Sequence, residues 1–278
     1  MDPMDVLLLV AVLAILISAS ISDWRVREVS DVHWQSIGFI GLAFLLASSI
    51  IDAGLRWEFI PLALGTSLML LDLLVSSKLN QYLIYSTIAV LFIVPLLGNL
   101  DDPLMLEWAS IPLAFILYCA MYYVRLIVGG ADLKCLVVLS IAFPTYPDIG
   151  FFEQMDPILV FIPSLMILFV ACVITMFGAV HNVICNLMNG YGGWGSLMNV
   201  KMDVSKARRS FVWPLEDIVD GELKRIRLTN DNLDDIYDRL IDAKVDSVWV
   251  TKMIPFIIPL TVATFIVAIL GNPFGFIL

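Results

Sequence analysis

Long apolar runs separated by short polar breaks make up most of the chain. A helix needs about 20 mostly apolar residues to cross a hydrocarbon core about 30 Å thick, and most of these runs approach that length. The pattern predicts eight membrane-spanning helices, at residues 6–21, 33–51, 59–76, 82–98, 108–128, 133–146, 158–180 and 254–277. The sixth run is the shortest and is followed by prolines, so a tilted or partly re-entrant segment is the alternative there.

One stretch, residues 181–252, breaks this pattern because it is polar and resembles a small soluble subdomain. Asp220-Gly221 lies between two apolar-containing runs and predicts a type I′ hairpin. Residues 233–241 repeat apolar side chains at helical spacing, which predicts an amphipathic helix. We therefore expect an all-α polytopic membrane protein with a small α+β cytoplasmic insertion before the last helix. The predicted regions are a transmembrane region at 1–180, a cytoplasmic subdomain at 181–252 and a C-terminal transmembrane helix at 253–278.

Composition and charge agree with this class. Apolar residues make up 60% of the chain, against about 45–50% in soluble domains. The formal net charge is −10 and basic clusters are absent from the sequence, so we expect the lipid bilayer and no nucleic acid as a partner. Basic residues of the loops fall on one predicted side, which places that side in the cytoplasm and the N-terminus outside. They are Arg25, Arg27, Lys78, Arg125, Lys134 and the cations of residues 201–252; Arg56 is the exception.

The sequence gives no reason to expect a metal or a cofactor. None of the four cysteines is in a Cys-x-x-Cys spacing, so neither a zinc site nor a disulfide framework is indicated. The two histidines, His33 and His181, lie in different segments. The oligomeric state has no signature in the sequence.

Two aspartates are the candidate catalytic residues, because each lies at the predicted cytoplasmic end of an apolar helix. Asp23 ends the first helix, and Asp132 opens the sixth after Gly129-Gly130-Ala131. Two neighbouring carboxyl groups in a low dielectric share one proton, which allows one to activate water while the other protonates a carbonyl oxygen. The alternative is structural, since Asp is a favoured helix cap and interfacial charges anchor spans.

These two segments carry a resemblance to a known family. Gly129-Gly130-Ala131-Asp132-Leu133-Lys134 resembles the motif around the second aspartate of type IV prepilin peptidases, specifically their archaeal preflagellin peptidase branch. Asp23-Trp24-Arg25-Val26-Arg27 is similar to the segment around the first aspartate. Residues 142–147 and 249–256 also resemble longer members of the family. Compact members have two fewer spans between the aspartates, and the cysteine-rich region of the bacterial relatives is missing here.

The resemblance implies a membrane aspartic endopeptidase that needs no cofactor. It would remove the short basic class III signal peptide from prearchaellin and prepilin precursors at the cytoplasmic face of the cell membrane. Asp23 and Asp132 would be the catalytic pair. The resemblance also implies that the substrate lies beside Gly129, Gly130, Ala131, Lys134, Arg25 and Arg27. Because the cysteine-rich region is missing, no N-methyltransferase activity is expected.

Three other functions fit parts of the sequence. A general intramembrane protease with a Gly-x-Gly-Asp aspartate would act on a different substrate class. A transporter would use Asp72, which lies within the third apolar run, since intramembrane acids often mark ion paths. The polar segment at 181–252 would alternatively serve as a binding scaffold.

Overall fold

A computed structural model describes residues 2–74, 81–99, 101–149, 162–188, 190–191, 199–226 and 233–271. The chain is mostly helical over these residues, with a small sheet region near the C-terminus. The helices are α1 (Pro3–Val26), α2 (Asp31–Ala53), α3 (Phe59–Leu74), α4 (Gln81–Leu96), α5 (Pro103–Tyr123), α6 (Gly130–Ala142), α7 (Pro163–Met188), α8 (Val204–Ala207), α9 (Leu233–Asp242) and α10 (Ile257–Leu270). The strands are β1 (Asn199–Asp203), β2 (Val212–Pro214), β3 (Glu216–Val219), β4 (Glu222–Arg225) and β5 (Ser247–Lys252).

Four helices of the described ranges are long and apolar enough to cross a membrane: α1, α2, α5 and α7. They give the chain the character of a membrane protein. The prediction of eight spans was too high, although each predicted run contains a helix. Helices α3 and α4 have 16 residues each, α10 has 14 and α6 has 13. At about 1.5 Å per residue even 16 residues reach only about 24 Å, short of the hydrocarbon core of about 30 Å.

Some apolar runs extend past the end of the helix that they contain, because hydrophobic residues continue into the following loop, whereas α1, α2 and α7 are longer than the runs that predicted them. Residues 124–128, for example, belong to the fifth predicted span, but α5 ends at Tyr123. Parts of three predicted spans, at 75–76, 158–161 and 272–277, and the basic residue Lys78 lie outside the described residues.

Local signals fix both ends of α1. The Asp2 carboxylate accepts a hydrogen bond of 2.9 Å from the Met4 amide, and Pro3 occupies the first turn, where its missing N–H is not needed. At the other end Arg27 adopts a left-handed conformation with φ 59°, and its amide donates to the Asp23 carbonyl at 3.1 Å. The helix therefore ends one turn after Asp23.

Helix α2 lies between the two helices that carry the candidate aspartates, since it packs against both α1 and α6. A Cβ atom built at Gly41 would lie 2.6 Å from the Cα atom of Ala142, so the α2 and α6 backbones are in close contact at that point. Helix α6 also packs against α5 and α3. Most of its length, from Leu133 through Ala142 apart from Lys134, is buried. The position of α6 is thereby set by packing on several sides.

The chain divides into two compact units, one formed by Met1–Cys172 with Pro255–Leu278 and the other by Val173–Ile254. The first division falls within α7, ahead of the boundary predicted at 180. In the second unit β5 pairs antiparallel with both β1 and β2, and β3 pairs antiparallel with β4. The apolar core of this unit consists of Val204, Ala207, Val212, Ile236, Tyr237, Leu240, Val248 and Val250.

Two local predictions for this unit are confirmed. Asp220 and Gly221 have φ values of 58° and 81° and join β3 to β4, with Val219 paired to Glu222. Two consecutive positive φ values in a two-residue loop are the signature of a type I′ hairpin. Helix α9 spans the predicted amphipathic segment, and it buries Ile236, Tyr237 and Leu240.

Candidate active site

Asp23 lies in the last turn of α1, half-buried, and contacts the start of α10. Its Oδ2 atom accepts a hydrogen bond of 3.3 Å from the Ile257 amide. Ile257 is the first residue of α10, whose own cap residue, Phe256, provides no side-chain hydrogen bond. The first amides of a helix have no intrahelical acceptor. Asp23 therefore accepts a hydrogen bond from one of these amides although it belongs to a different helix. The structural alternative considered from the sequence was a cap or an anchor of its own helix.

Two arginines follow Asp23 along the chain. Arg27 is half-buried, and its Nη1 atom donates to the Asp23 backbone carbonyl at 3.5 Å. Arg25 is exposed in the last turn of α1. Of the two predicted substrate-binding arginines, Arg25 is thus the one whose side chain is open to a ligand.

Asp132 is the third residue of α6, and its side chain folds back toward Gly129. A Cβ atom built at Gly129 would lie 2.9 Å from the Asp132 carboxyl carbon and closer still to its Oδ2 atom. Gly129 has φ −82° and ψ 126°, which other residues adopt freely. A larger residue here would therefore have to displace the Asp132 carboxyl group. Gly130 differs, because a Cβ atom there would have no neighbour within 4 Å.

The two aspartates belong to one electrostatic environment. Asp23 and Asp132 lie in helices that both pack on α2, and the charge of Asp23 acts on the Asp132 carboxyl group. In the described part of the chain, the Asp132 carboxyl oxygens accept no hydrogen bond, whereas Asp23 accepts one from Ile257. The fold thus places two half-buried carboxyl groups from distant segments on helices that pack against the same neighbour, with different surroundings for each.

Lys134 forms an ion pair that the sequence did not reveal. Its Nζ atom lies 2.5 Å from Oδ1 of Asp31, the first residue of α2. This contact joins the N-terminal half of α6 to the first turn of α2 and gives Lys134 a structural partner. Ala131 is half-buried in the first turn of α6.

Sequence reasoning missed the contribution of α10. Ser20, one turn before Asp23, shares a hydrogen bond of 2.8 Å with Thr261 of α10. The Ile257 donor is a backbone amide, so no residue type in the sequence indicates it. The only sequence signal was the helical spacing of Ser20 and Asp23, which puts both side chains on one face of α1.

Other polar groups outside this pair have local partners. His33 contacts Ser18 at 3.2 Å, and His181 contacts Cys185 at 3.4 Å. Asp72 of α3 lies near the Tyr85 hydroxyl group of α4. No group of three or more histidine, cysteine or acidic residues suited to a metal ion occurs among the residues described.

A groove of about 560 Å³ runs along α1 and α10. Its lining is mostly apolar and includes Ile17, Ile21, Trp24 and Val262, with Ser20 and Thr261 as polar members and Arg25 at one end. Asp23 and Asp132 are not among the residues that line this groove.

No known protein family, no curated protein and no solved structure matches the chain in comparisons with each of these.

Proposed function

We propose that the chain is a membrane aspartic endopeptidase with Asp23 and Asp132 as its catalytic pair. The observation that carries this proposal is that both acids are half-buried at the ends of two helices that pack on the same helix, α2. They come from the last turn of α1 and the first turn of α6, the two segments that resemble the aspartate motifs of prepilin peptidases. Two acids that interact through charge are the arrangement that metal-free peptide hydrolysis requires.

The reaction needs one ionised and one protonated carboxyl group. The ionised carboxylate takes a proton from a water molecule as the water oxygen attacks the scissile carbonyl carbon, and the protonated partner gives its proton to the carbonyl oxygen. The resulting tetrahedral intermediate collapses when the C–N bond breaks. The leaving amine takes the proton that came from water, and the hydroxyl proton of the intermediate returns to the second carboxylate. The pair ends with one proton, as it began.

The proposed substrates are prearchaellin and prepilin precursors, cut between a short basic leader and the following hydrophobic helix at the cytoplasmic face. The resemblance of the two aspartate segments supports this substrate class. The exposure of Gly130 and the open space around it favour the approach of a peptide backbone next to Asp132. Arg25 stays a candidate substrate contact because its side chain is exposed.

The experiment is cleavage of a prepilin-like precursor by membranes that contain the wild-type chain, Asp23→Asn or Asp132→Asn. Asparagine keeps the shape of aspartate and cannot exchange the proton. Asp72→Asn is the matched control, because Asp72 is another acid of an apolar helix and belongs to neither aspartate motif. We expect both motif variants to lose cleavage and the control to keep it. Wild-type rates in an inserted, folded Asp23→Asn or Asp132→Asn protein would overturn the proposal.

Transport through Asp72 is the alternative that this control tests. An acid inside an apolar helix marks an ion path in many membrane proteins, and Asp72 is only half-buried. Its contact with Tyr85 gives it a structural role between α3 and α4. Loss of proton or ion flux in Asp72→Asn, with no peptidase activity in any variant, would favour transport.

A further inference from the structure

One face of α1 makes a row of polar contacts with α10. The Leu16 carbonyl, the Ser20 hydroxyl and the Asp23 carboxylate follow each other at helical spacing on this face. Thr261 Oγ1 lies 3.4 Å from the Leu16 carbonyl oxygen and 2.8 Å from Ser20 Oγ. Asp23 Oδ2 accepts from the Ile257 amide at 3.3 Å. The row ends at the candidate catalytic carboxylate.

Thr261 also contacts the residue that reaches Asp23. Its hydroxyl group lies 2.8 Å from the Ile257 carbonyl oxygen, one turn earlier in α10. Ser20 Oγ lies 3.4 Å from the same carbonyl oxygen. Because each hydroxyl group has one proton, the short contacts form a chain in which Ser20 donates to Thr261 and Thr261 donates to the Ile257 carbonyl, while the Ile257 amide donates to Asp23. Polar contacts of this kind between apolar helices fix their relative position, because van der Waals packing alone leaves more freedom.

We propose that the N-terminus of α10 is part of the active site, where the Ile257 amide orients the Asp23 carboxylate and Ser20 and Thr261 are positioning residues. This inference rests on the proposed peptidase function. It gives α10 a role in catalysis, although α10 belongs to neither of the two aspartate motifs.

The geometry explains why such support is needed. Asp23 lies at a helix end, where the side chain can adopt several staggered rotamers. The Ile257 amide engages Oδ2 and leaves Oδ1, for which the described residues supply no hydrogen-bond donor, available to water or substrate. A carboxylate fixed at one oxygen presents the other in a constant direction. Catalysis gains from such orientation because the reacting atoms must meet at about 3–3.5 Å.

A simple structural contact between α1 and α10 is the competing explanation. It would make the Ser20–Thr261 hydrogen bond important for stability alone. The chain offers a matched control for this, since Thr264 lies on the same helix, is buried and donates at 2.8 Å only to Leu260 within α10. Thr261→Val and Thr264→Val thus remove the same hydroxyl group, with and without a contact to α1.

The experiment measures kcat, KM and thermal unfolding for the full chain in membranes or detergent, with Thr261→Val, Thr261→Ser, Thr264→Val and Ser20→Ala. We expect Thr261→Val to lower kcat by between about tenfold and a hundredfold with little change in KM, the range that a displacement of about 1 Å or less produces. Ser20→Ala should lower kcat in the same direction. Thr261→Ser keeps the hydroxyl group and should restore kcat, and Thr264→Val should keep it.

The outcomes separate this inference from the proposed function. Loss of cleavage in Asp23→Asn and Asp132→Asn, with equal kcat in Thr261→Val and Thr264→Val, would overturn the inference and leave the peptidase function in place. Equal losses of kcat in these two valine variants, matched by equal losses of thermal stability, would also overturn it. Absence of cleavage by the wild-type chain would overturn the peptidase function itself. If Thr261→Val does not insert, Ser20→Ala decides: wild-type kcat in that variant would overturn the inference.

Discussion

The Asp132 carboxyl group occupies the space that a side chain at Gly129 would fill. Because Gly129 has an ordinary extended conformation, its role is to make room for this carboxyl group. The contact is between the first residue before α6 and the third residue within it. It links one glycine of the motif directly to the position of the proposed catalytic acid.

Substitution of Gly129 by alanine should therefore move Asp132. We expect kcat for precursor cleavage to fall by between about tenfold and a hundredfold, because a misplaced catalytic group loses rate on this scale. Gly130→Ala is the matched variant, since its new methyl group would meet no atom within 4 Å. Any loss there should appear in KM, through contact with the substrate. Equal values of kcat in Gly129→Ala and Gly130→Ala would contradict the spatial role of Gly129.

The Lys134–Asp31 ion pair gives a second prediction. If Lys134 acts by joining α6 to α2, Lys134→Met and Asp31→Asn should lower cleavage to a similar extent, and the double variant should be no worse than either one. The effect of each on the free energy of unfolding should be about 1 kcal/mol or less, because both side chains are partly exposed to solvent.

The kinetic constants of these three variants check this prediction. The resemblance to prepilin peptidases predicts instead that Lys134 contacts the substrate. A higher KM in Lys134→Met with an unchanged KM in Asp31→Asn would support that assignment and contradict the structural role.

Close contact between the α2 and α6 backbones gives a third prediction. A methyl group at position 41 would lie 2.6 Å from the Ala142 Cα atom, and a backbone atom cannot give way as a flexible side chain can. Gly41→Ala should therefore lower the free energy of unfolding by about 1–3 kcal/mol, the usual cost of overpacking. Gly178→Ala is the control, because position 178 lies in a helix with open space around it. Thermal unfolding in detergent measures both, and equal stability of the two variants would contradict the close contact.

A fourth prediction concerns pH and the Val173–Ile254 unit. Arg239 forms two hydrogen bonds with the Asp217 carboxylate, at 3.0 and 2.5 Å, and lowers the pKa of that group below its usual 3.8. A folded-state pKa below the unfolded value means that the ionised pair stabilises the fold above pH 3.8. This contribution is lost as the pH falls through the lowered folded-state pKa.

Hydrogen exchange of the β3 and α9 amides in the full chain measures this effect. Asp217→Asn should raise their exchange rates at pH 6, and the difference from wild type should shrink as the pH falls below 3.8. Asp220→Asn is the control, because the Asp220 side chain is 83% exposed. A difference that persists unchanged at low pH would contradict the stabilising role of the Asp217–Arg239 pair.

The local structure of two segments could be predicted from their residues alone. Asp220-Gly221 predicted the hairpin because the two residues tolerate the positive φ values that a two-residue loop requires. The apolar period of residues 233–241 predicted α9, whose buried face is the one that the spacing indicated. The positions of Asp23 and Asp132 at helix ends were likewise readable, since both follow from where apolar runs stop and start.

The number of membrane spans could not be predicted from hydrophobicity, because an apolar residue contributes the same hydrophobicity in a loop as in a helix. Helix α6 illustrates this. Its 13 residues are too few for an ordinary crossing, yet nearly all are buried. Whether a segment packs inside a bundle or faces lipid depends on its neighbours, and these come from distant parts of the chain.

The sequence by itself determined the helical and apolar character of the chain, the local turns and the identity of the two candidate acids, since each depends on residues close together along the chain. Only the tertiary structure decided that Asp31 pairs with Lys134, that α10 donates an amide to Asp23 and that Gly129 makes room for Asp132. The first two contacts join segments that are distant in sequence, and the third depends on a side-chain rotamer. The sequence does not show the first two as a local pattern because they are set by how the helices pack, and it does not show the third because the Asp132 rotamer is fixed only in the folded chain.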